Sequence, residues 1–150
     1  MIVANTCLYS ANHYHISANI FALLRLTTGI VSYAKQTKDA PRERAMVLRE
    51  ASSLMGLLST LKDLIDECDP QDPWLRATSG LATPDGTLEQ CKLALEQLAP
   101  KIVPSHGLRK VGQVLPWMLS KEEADRLLSQ IERVKTLVSI ALEVDHMSVL

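Results

Sequence analysis

Apolar positions along the chain recur at spacings of three and four, the period of one α-helix face. No run alternates with the period of two that a strand requires. The sharpest run is Val47, Ala51, Leu54, Leu58, Leu61, Ile65 and Cys68, a seam without a break. It predicts a helix over residues 39–68, capped by Asp39, with Pro41 in its first turn and Asp69-Pro70 at its end. Leu48, Met55, Leu57 and Leu64 thicken the seam, so both of its flanks can take neighbours.

The same period predicts three more long helices. The first covers residues 17–37, with Ser17 or Asn19 as cap. Ile20, Leu23, Leu24, Thr27, Val31 and Ala34 line one face of it, and Phe21, Leu26 and Ile30 widen that face. Gly29 reads as a weak spot that serves close packing. The third follows a Thr83-Pro84-Asp85-Gly86 turn and a capping box at Thr87–Gln90. Leu88, Cys91, Leu95, Leu98 and Ile102 form its stripe, and Pro100 kinks or closes it. The last follows a second capping box, Ser120-Lys121-Glu122-Glu123, and runs to about residue 145. Its stripe is Ala124, Leu127, Leu128, Ile131, Val134, Val138, Ala141 and Leu142. Short helices are expected at Asp72-Pro73-Trp74-Leu75 and near residues 107–115. The fold class is therefore all-α: an antiparallel bundle of four long helices with one or two short connecting ones. Residues 1–16 show no sustained period, are interrupted by Asn5, Asn12, His13, Tyr14 and His15, and read as a loosely ordered segment. Residues 17–150 are the bundle domain.

Composition supports one domain: 150 residues bury roughly 70% of their unfolded surface without staples. Cys7, Cys68 and Cys91 cannot all pair and form no CxxC, so they read as reduced thiols of a cytoplasmic protein. Residues 18–34 carry one charge, Arg25, and are shorter than the roughly 20 residues a membrane span needs, so a buried core helix is the favoured reading. The net charge of −1 hides an uneven distribution. No acid precedes Asp39, and none lies between Glu96 and Glu122, while acids crowd the region from Asp63 to Glu96. Basic residues Arg109, Lys110 and Lys121 flank Trp117 in the second acid-free stretch, a pattern that suits a membrane or partner interface if the ring is not simply packed in the core.

No phosphate loop, dinucleotide fingerprint, nucleophile elbow, HExxH or EF-hand order is present. His13 and His15 lack a third ligand, and no spacing unites Ser105, His106 or His146 into a triad. The expectations are accordingly a chain that is not an enzyme, with no cofactor, no metal site, no small-molecule substrate and no nucleic-acid partner.

An ordered set of segments resembles a known family. It comprises KDAPRERAMVLREASSLMGLLSTLKDL (38–64), PWL (73–75), PDGTLEQCKLALEQL (84–98), GLRKVG (107–112) and SKEEADRLLSQIERVKTLVSIALEVDH (120–146). With the apolar first helix before them, they resemble the fungal N-terminal domain of STAND proteins, the HeLo-like domain that precedes a NACHT or similar NTPase in fungal NOD-like receptors. The resemblance implies a helical bundle with a non-enzymatic signalling role in incompatibility and innate-immunity-like cell death. It also implies that the apolar first helix acts as a membrane-directed effector, through Ile20, Phe21, Leu23, Leu24, Leu26, Ile30 and Val31. The implied partners are helical protein domains, a second copy included, and an anionic membrane surface on activation. The seam on the second helix offers the alternative of a structural module that self-associates or docks a partner helix.

Overall fold

The computed structural model describes residues 2–37, 42–67, 76–81, 83–102 and 116–149, excluding the side chains of residues 2–15, 76, 79, 102 and 147–149. Five helices follow one another: α1 (Ile2–Gln36), α2 (Arg42–Glu67), α3 (Arg76–Gly80), α4 (Thr87–Ile102) and α5 (Lys121–Val149). The four long ones form a bundle. α1 packs on α2 and α4, and α5 packs on the same two, so α1 lies diagonal to α5 and α2 diagonal to α4. Consecutive long helices run antiparallel. The lateral pairs α1/α4 and α2/α5 run in the same direction. The ends of α1 and α4 and the starts of α2 and α5 meet at one end, through Arg44 on Ala34, Tyr33 on the segment before α5, and Lys101 on Glu123.

The α2 seam is the centre of the core. Val47, Ala51, Leu54, Leu58, Leu61 and Ile65 are all buried, and Leu48 and Leu57 pack against them from the flanks. A docking surface on this seam is thus not available while the bundle is closed. α1 adds Ile16, Ile20, Leu23, Ile30, Val31 and Tyr33; α4 adds Leu88, Cys91 and Leu95; α5 adds Leu127, Ile131, Val134 and Val138. The α4 and α5 sets repeat at three and four, as one helix face must; in α1 buried Thr27 and Ala34 complete that period, and Val31 and Tyr33 widen the face.

Several boundaries differ from expectation. α1 starts at Ile2, not at Ser17. Residues 2–16 contain no Pro or Gly, so moderate helix formers such as Asn and His extend the helix rather than break it. At 35 residues α1 is about 52 Å long, the longest helix here. The short helix lies at Arg76–Gly80; Asp72–Leu75, residues 107–115, Asp39 and Cys68 lie outside the described residues. α4 passes through Pro100 and ends two residues later; Pro100 has no N–H to donate to the Glu96 carbonyl, so it closes the helix within that turn.

The two capping boxes part company. Ser120 Oγ accepts the Glu123 N–H at 3.1 Å and Ser120 N–H donates to Glu123 Oε1 at 3.2 Å, the full reciprocal pair. At α4 the Gln90 N–H goes to the Gly86 carbonyl at 3.0 Å and the Gln90 amide to the Asp85 carbonyl at 3.0 Å. Gly86 therefore takes the cap position instead of Thr87. Its N–H closes the Thr83 turn at 2.8 Å, and a Cβ there would lie 2.6 Å from the Leu81 carbonyl oxygen.

Candidate functional site

The candidate effector helix divides into an inward and an outward face. Ile20, Leu23, Ile30 and Val31 are buried, Leu24 and Leu26 pack half-buried at the edge of the core, and Phe21 stands 63% exposed. The seven residues therefore do not form one surface: Phe21 is about 100° round the helix from Ile20. Ile16–Gln36 is long and apolar enough to cross a membrane by length and composition, and less than half of that stretch is buried in the bundle. Core helices of soluble proteins share that composition, so the composition by itself does not set the role.

The end of α1 is held by a clasp. Tyr33 is buried, its hydroxyl donates to the Pro116 carbonyl at 2.8 Å, and it accepts the Met118 N–H at 2.6 Å. The Trp117 ring stacks on the Tyr33 ring with centroids 5.5 Å apart and planes 19° apart. Burial pushes the Tyr33 hydroxyl above its ordinary value, against the opposing pull of the Met118 hydrogen bond. Arg44 Nε adds a 2.6 Å bond to the Ala34 carbonyl, which the Thr37 hydroxyl shares at 3.1 Å. These two bonds satisfy the Ala34 carbonyl, one of those that a helix end leaves open.

Among the candidate interface residues, Trp117 is half-buried in this clasp and packs against the core. Lys121 is exposed at the start of α5, and Arg109 and Lys110 lie outside the described residues. The Trp117 ring at the centre of this set is thus engaged with Tyr33.

Charged groups tie the helices elsewhere. Lys101 at the end of α4 reaches Glu123 at 2.6 Å; with the Ser120 N–H it holds that carboxyl below its ordinary value. Lys135 on α5 reaches Glu50 on α2 at 2.8 Å and lowers its carboxyl likewise. At the opposite end Asp145 is 2% exposed. One carboxylate oxygen accepts the Ala77 N–H at 2.8 Å; the other accepts the Thr78 N–H at 3.0 Å and the Thr78 hydroxyl at 2.7 Å. A buried acid is thereby matched by the first amides of α3. Its sequence signal is plain in hindsight: Asp145 continues the Val138, Ala141 stripe at a core position.

No protein-family model, curated protein or solved structure matches the chain.

Function therefore rests on geometry and residue chemistry. No three His, Cys, Asp or Glu side chains converge among the described residues to hold a metal ion. Cys91 is buried, and burial pushes its thiol up to about 11, which makes it a poor nucleophile. A shallow depression of about 760 Å³ lies between α2, through Met46, Arg49 and Glu50, and α5, through Leu128, Glu132 and Thr136, and it is open to solvent. A second groove, about 470 Å³, lies between α1 and α4. Gly29 lines it, and a Cβ on Gly29 would meet nothing within 4 Å, so this glycine opens space instead of serving close packing.

Proposed function

We propose that this chain is a non-enzymatic signalling or effector domain acting through helix-mediated contacts, with α1 as its effector element. On this reading it resides in the cytoplasm and engages an anionic membrane when α1 is released, as the resemblance to fungal STAND N-terminal domains implies. The observation that carries the proposal is α1 itself. Its 21-residue stretch Ile16–Gln36 combines a membrane-compatible length with no acidic residue and an incompletely covered surface. The Tyr33–Trp117 clasp supplies a discrete contact whose loss would free the end of that helix.

Dye release from anionic vesicles, together with growth of cells expressing the chain, tests this reading. Trp117→Ala should raise vesicle leakage above the wild type by loosening the clasp. Intact vesicles and normal growth with both proteins would sink the membrane role.

A further inference from the structure

We infer that this chain pairs with a second copy of itself through α1, each Phe21 entering the α1/α4 groove of the other copy. The groove is floored by Leu26, Ile30, Leu95 and Ala99, and Gly29 leaves it open at the top. Phe21 is the most exposed large apolar side chain among the described residues, at 63%. The monomer thus presents both an apolar projection and an apolar recess on the same helix.

Their placement is self-complementary. Phe21, Arg25 and Gly29 form one i, i+4 row, with Phe21 and Gly29 equidistant from Arg25. A two-fold axis through Arg25 exchanges Phe21 of one copy with Gly29 of the other, as an isologous contact requires. Packing such rows against each other gives crossing angles of about 50° in magnitude, the commonest class of helix contact.

Charge also selects a second copy as occupant. Arg25 stands on the α1 wall of the groove and Glu96 on the α4 wall, both exposed. A two-fold contact brings each Arg25 toward the partner's Glu96, which turns the repulsion of two arginines near the axis into two cross-pairs. The contact is one helix crossing with a flanking helix, which is at the small end of specific interfaces, so association should be weak, with Kd roughly 10–100 µM. This inference uses only the closed bundle and does not depend on the membrane reading.

Sedimentation equilibrium of the intact chain over micromolar to millimolar concentration tests it. The expected result is a concentration-dependent rise from the 16.6 kDa monomer toward twice that mass. Phe21→Ala should weaken association at least about tenfold, as loss of an interface anchor does. Gly29→Leu should block the recess while keeping the fold, since leucine is the better helix former. Arg25→Glu and Glu96→Arg should each weaken pairing, and the double variant should restore it. A wild type that stays monomeric to about 1 mM overturns the inference, as does a dimer unmoved by Phe21→Ala and Gly29→Leu. A monomeric wild type that binds vesicles through Phe21 overturns it too and assigns this face to lipid.

Discussion

Replacing Asp145 should unfasten α3 from α5 and expose the end of the bundle. The carboxylate accepts three hydrogen bonds within 3.0 Å and is 2% exposed. Asp145→Ala leaves two backbone amides and the buried Thr78 hydroxyl without their acceptor. Each stranded group costs about 1–3 kcal/mol if it stays buried. α3 is only five residues long and sits at the end of the bundle, so part of it can turn toward water, and about 3 kcal/mol in total is expected. For a chain of this size that is a fall in Tm of roughly 6–12 °C. Asp145→Asn keeps one acceptor but turns an N–H₂ group toward donors, so it should cost about 2 kcal/mol. Thr78→Val removes one bond and should cost about 1 kcal/mol, and the pair should be strongly non-additive with Asp145→Ala. Urea denaturation supplies the energies, and hydrogen exchange at Ala77 and Thr78 supplies the location. A loss below about 0.5 kcal/mol would refute the reasoning, because surface substitutions without a structural role fall in that range. So would a full loss with the exchange of these two amides unchanged.

Five further outcomes follow from the packing. Leu58→Ala removes a fully buried side chain at the centre of the α2 seam and should cost about 2–5 kcal/mol in urea unfolding. Gly86→Ala forces a Cβ to within 2.6 Å of the Leu81 carbonyl oxygen and should lower Tm, whereas Gly56→Ala, exposed within α2 with open space around it, should raise stability by about 0.4–1 kcal/mol. Cys91 keeps its proton in the folded state up to about 11, while the unfolded chain releases it near 9.0. The contribution of Cys91 is therefore complete below pH 9.0 and declines by about 1.4 kcal/mol per pH unit up to about 11. The difference between wild type and Cys91→Ala in urea titrations across that window reads it, and a constant difference would contradict the burial argument. Tyr33→Phe breaks both clasp hydrogen bonds while keeping the stacked ring; it should cost about 1–3 kcal/mol and speed exchange of the Met118 amide.

The helical faces were legible because burial in a bundle imposes a single period. The α2 seam and the α5 stripe needed only spacings of three and four: Val47 to Ile65 of the seam are buried, and so is the stripe apart from Leu128 and Leu142, half-buried at its edge. Elements set by one backbone atom were less legible. Thr87-x-x-Gln90 and Ser120-x-x-Glu123 carry the same signature, yet only the second closes, because Gly86 offers α4 a tighter start. The start of α1 at Ile2 is not legible from apolar period, because period reports a neighbour to pack against rather than helicity itself. The clasp and the Asp145 cluster join residues far apart in sequence, and local spacing contains no term for such pairs. Phe21 shares the hydrophobicity of its neighbours, but one residue step of about 100° from buried Ile20 puts it outside.

The energetics of α1 bear on how it could act. Lifting it out exposes Ile16, Ile20, Leu23, Ile30, Val31 and Tyr33, which amounts to roughly 9–18 kcal/mol of gross transfer energy at typical side-chain values. That matches or exceeds the roughly 5–15 kcal/mol of net stability usual for a folded domain. Release is therefore equivalent to unfolding the bundle in water unless another apolar phase receives the helix. A bilayer can receive the buried face, but it must also take Arg25, at a cost of about 2.5–3.5 kcal/mol for a charge at mid-helix. In the closed bundle Arg25 lies on the exposed face and carries no such cost. The same residue thus favours the folded form and opposes insertion, so an effector role requires a trigger that weakens α1 packing rather than membrane affinity alone. The clasp at Tyr33 and Trp117 is where one contact set holds the end of α1, and the outward row of Phe21, Arg25 and Gly29 is where a second copy could add to that hold.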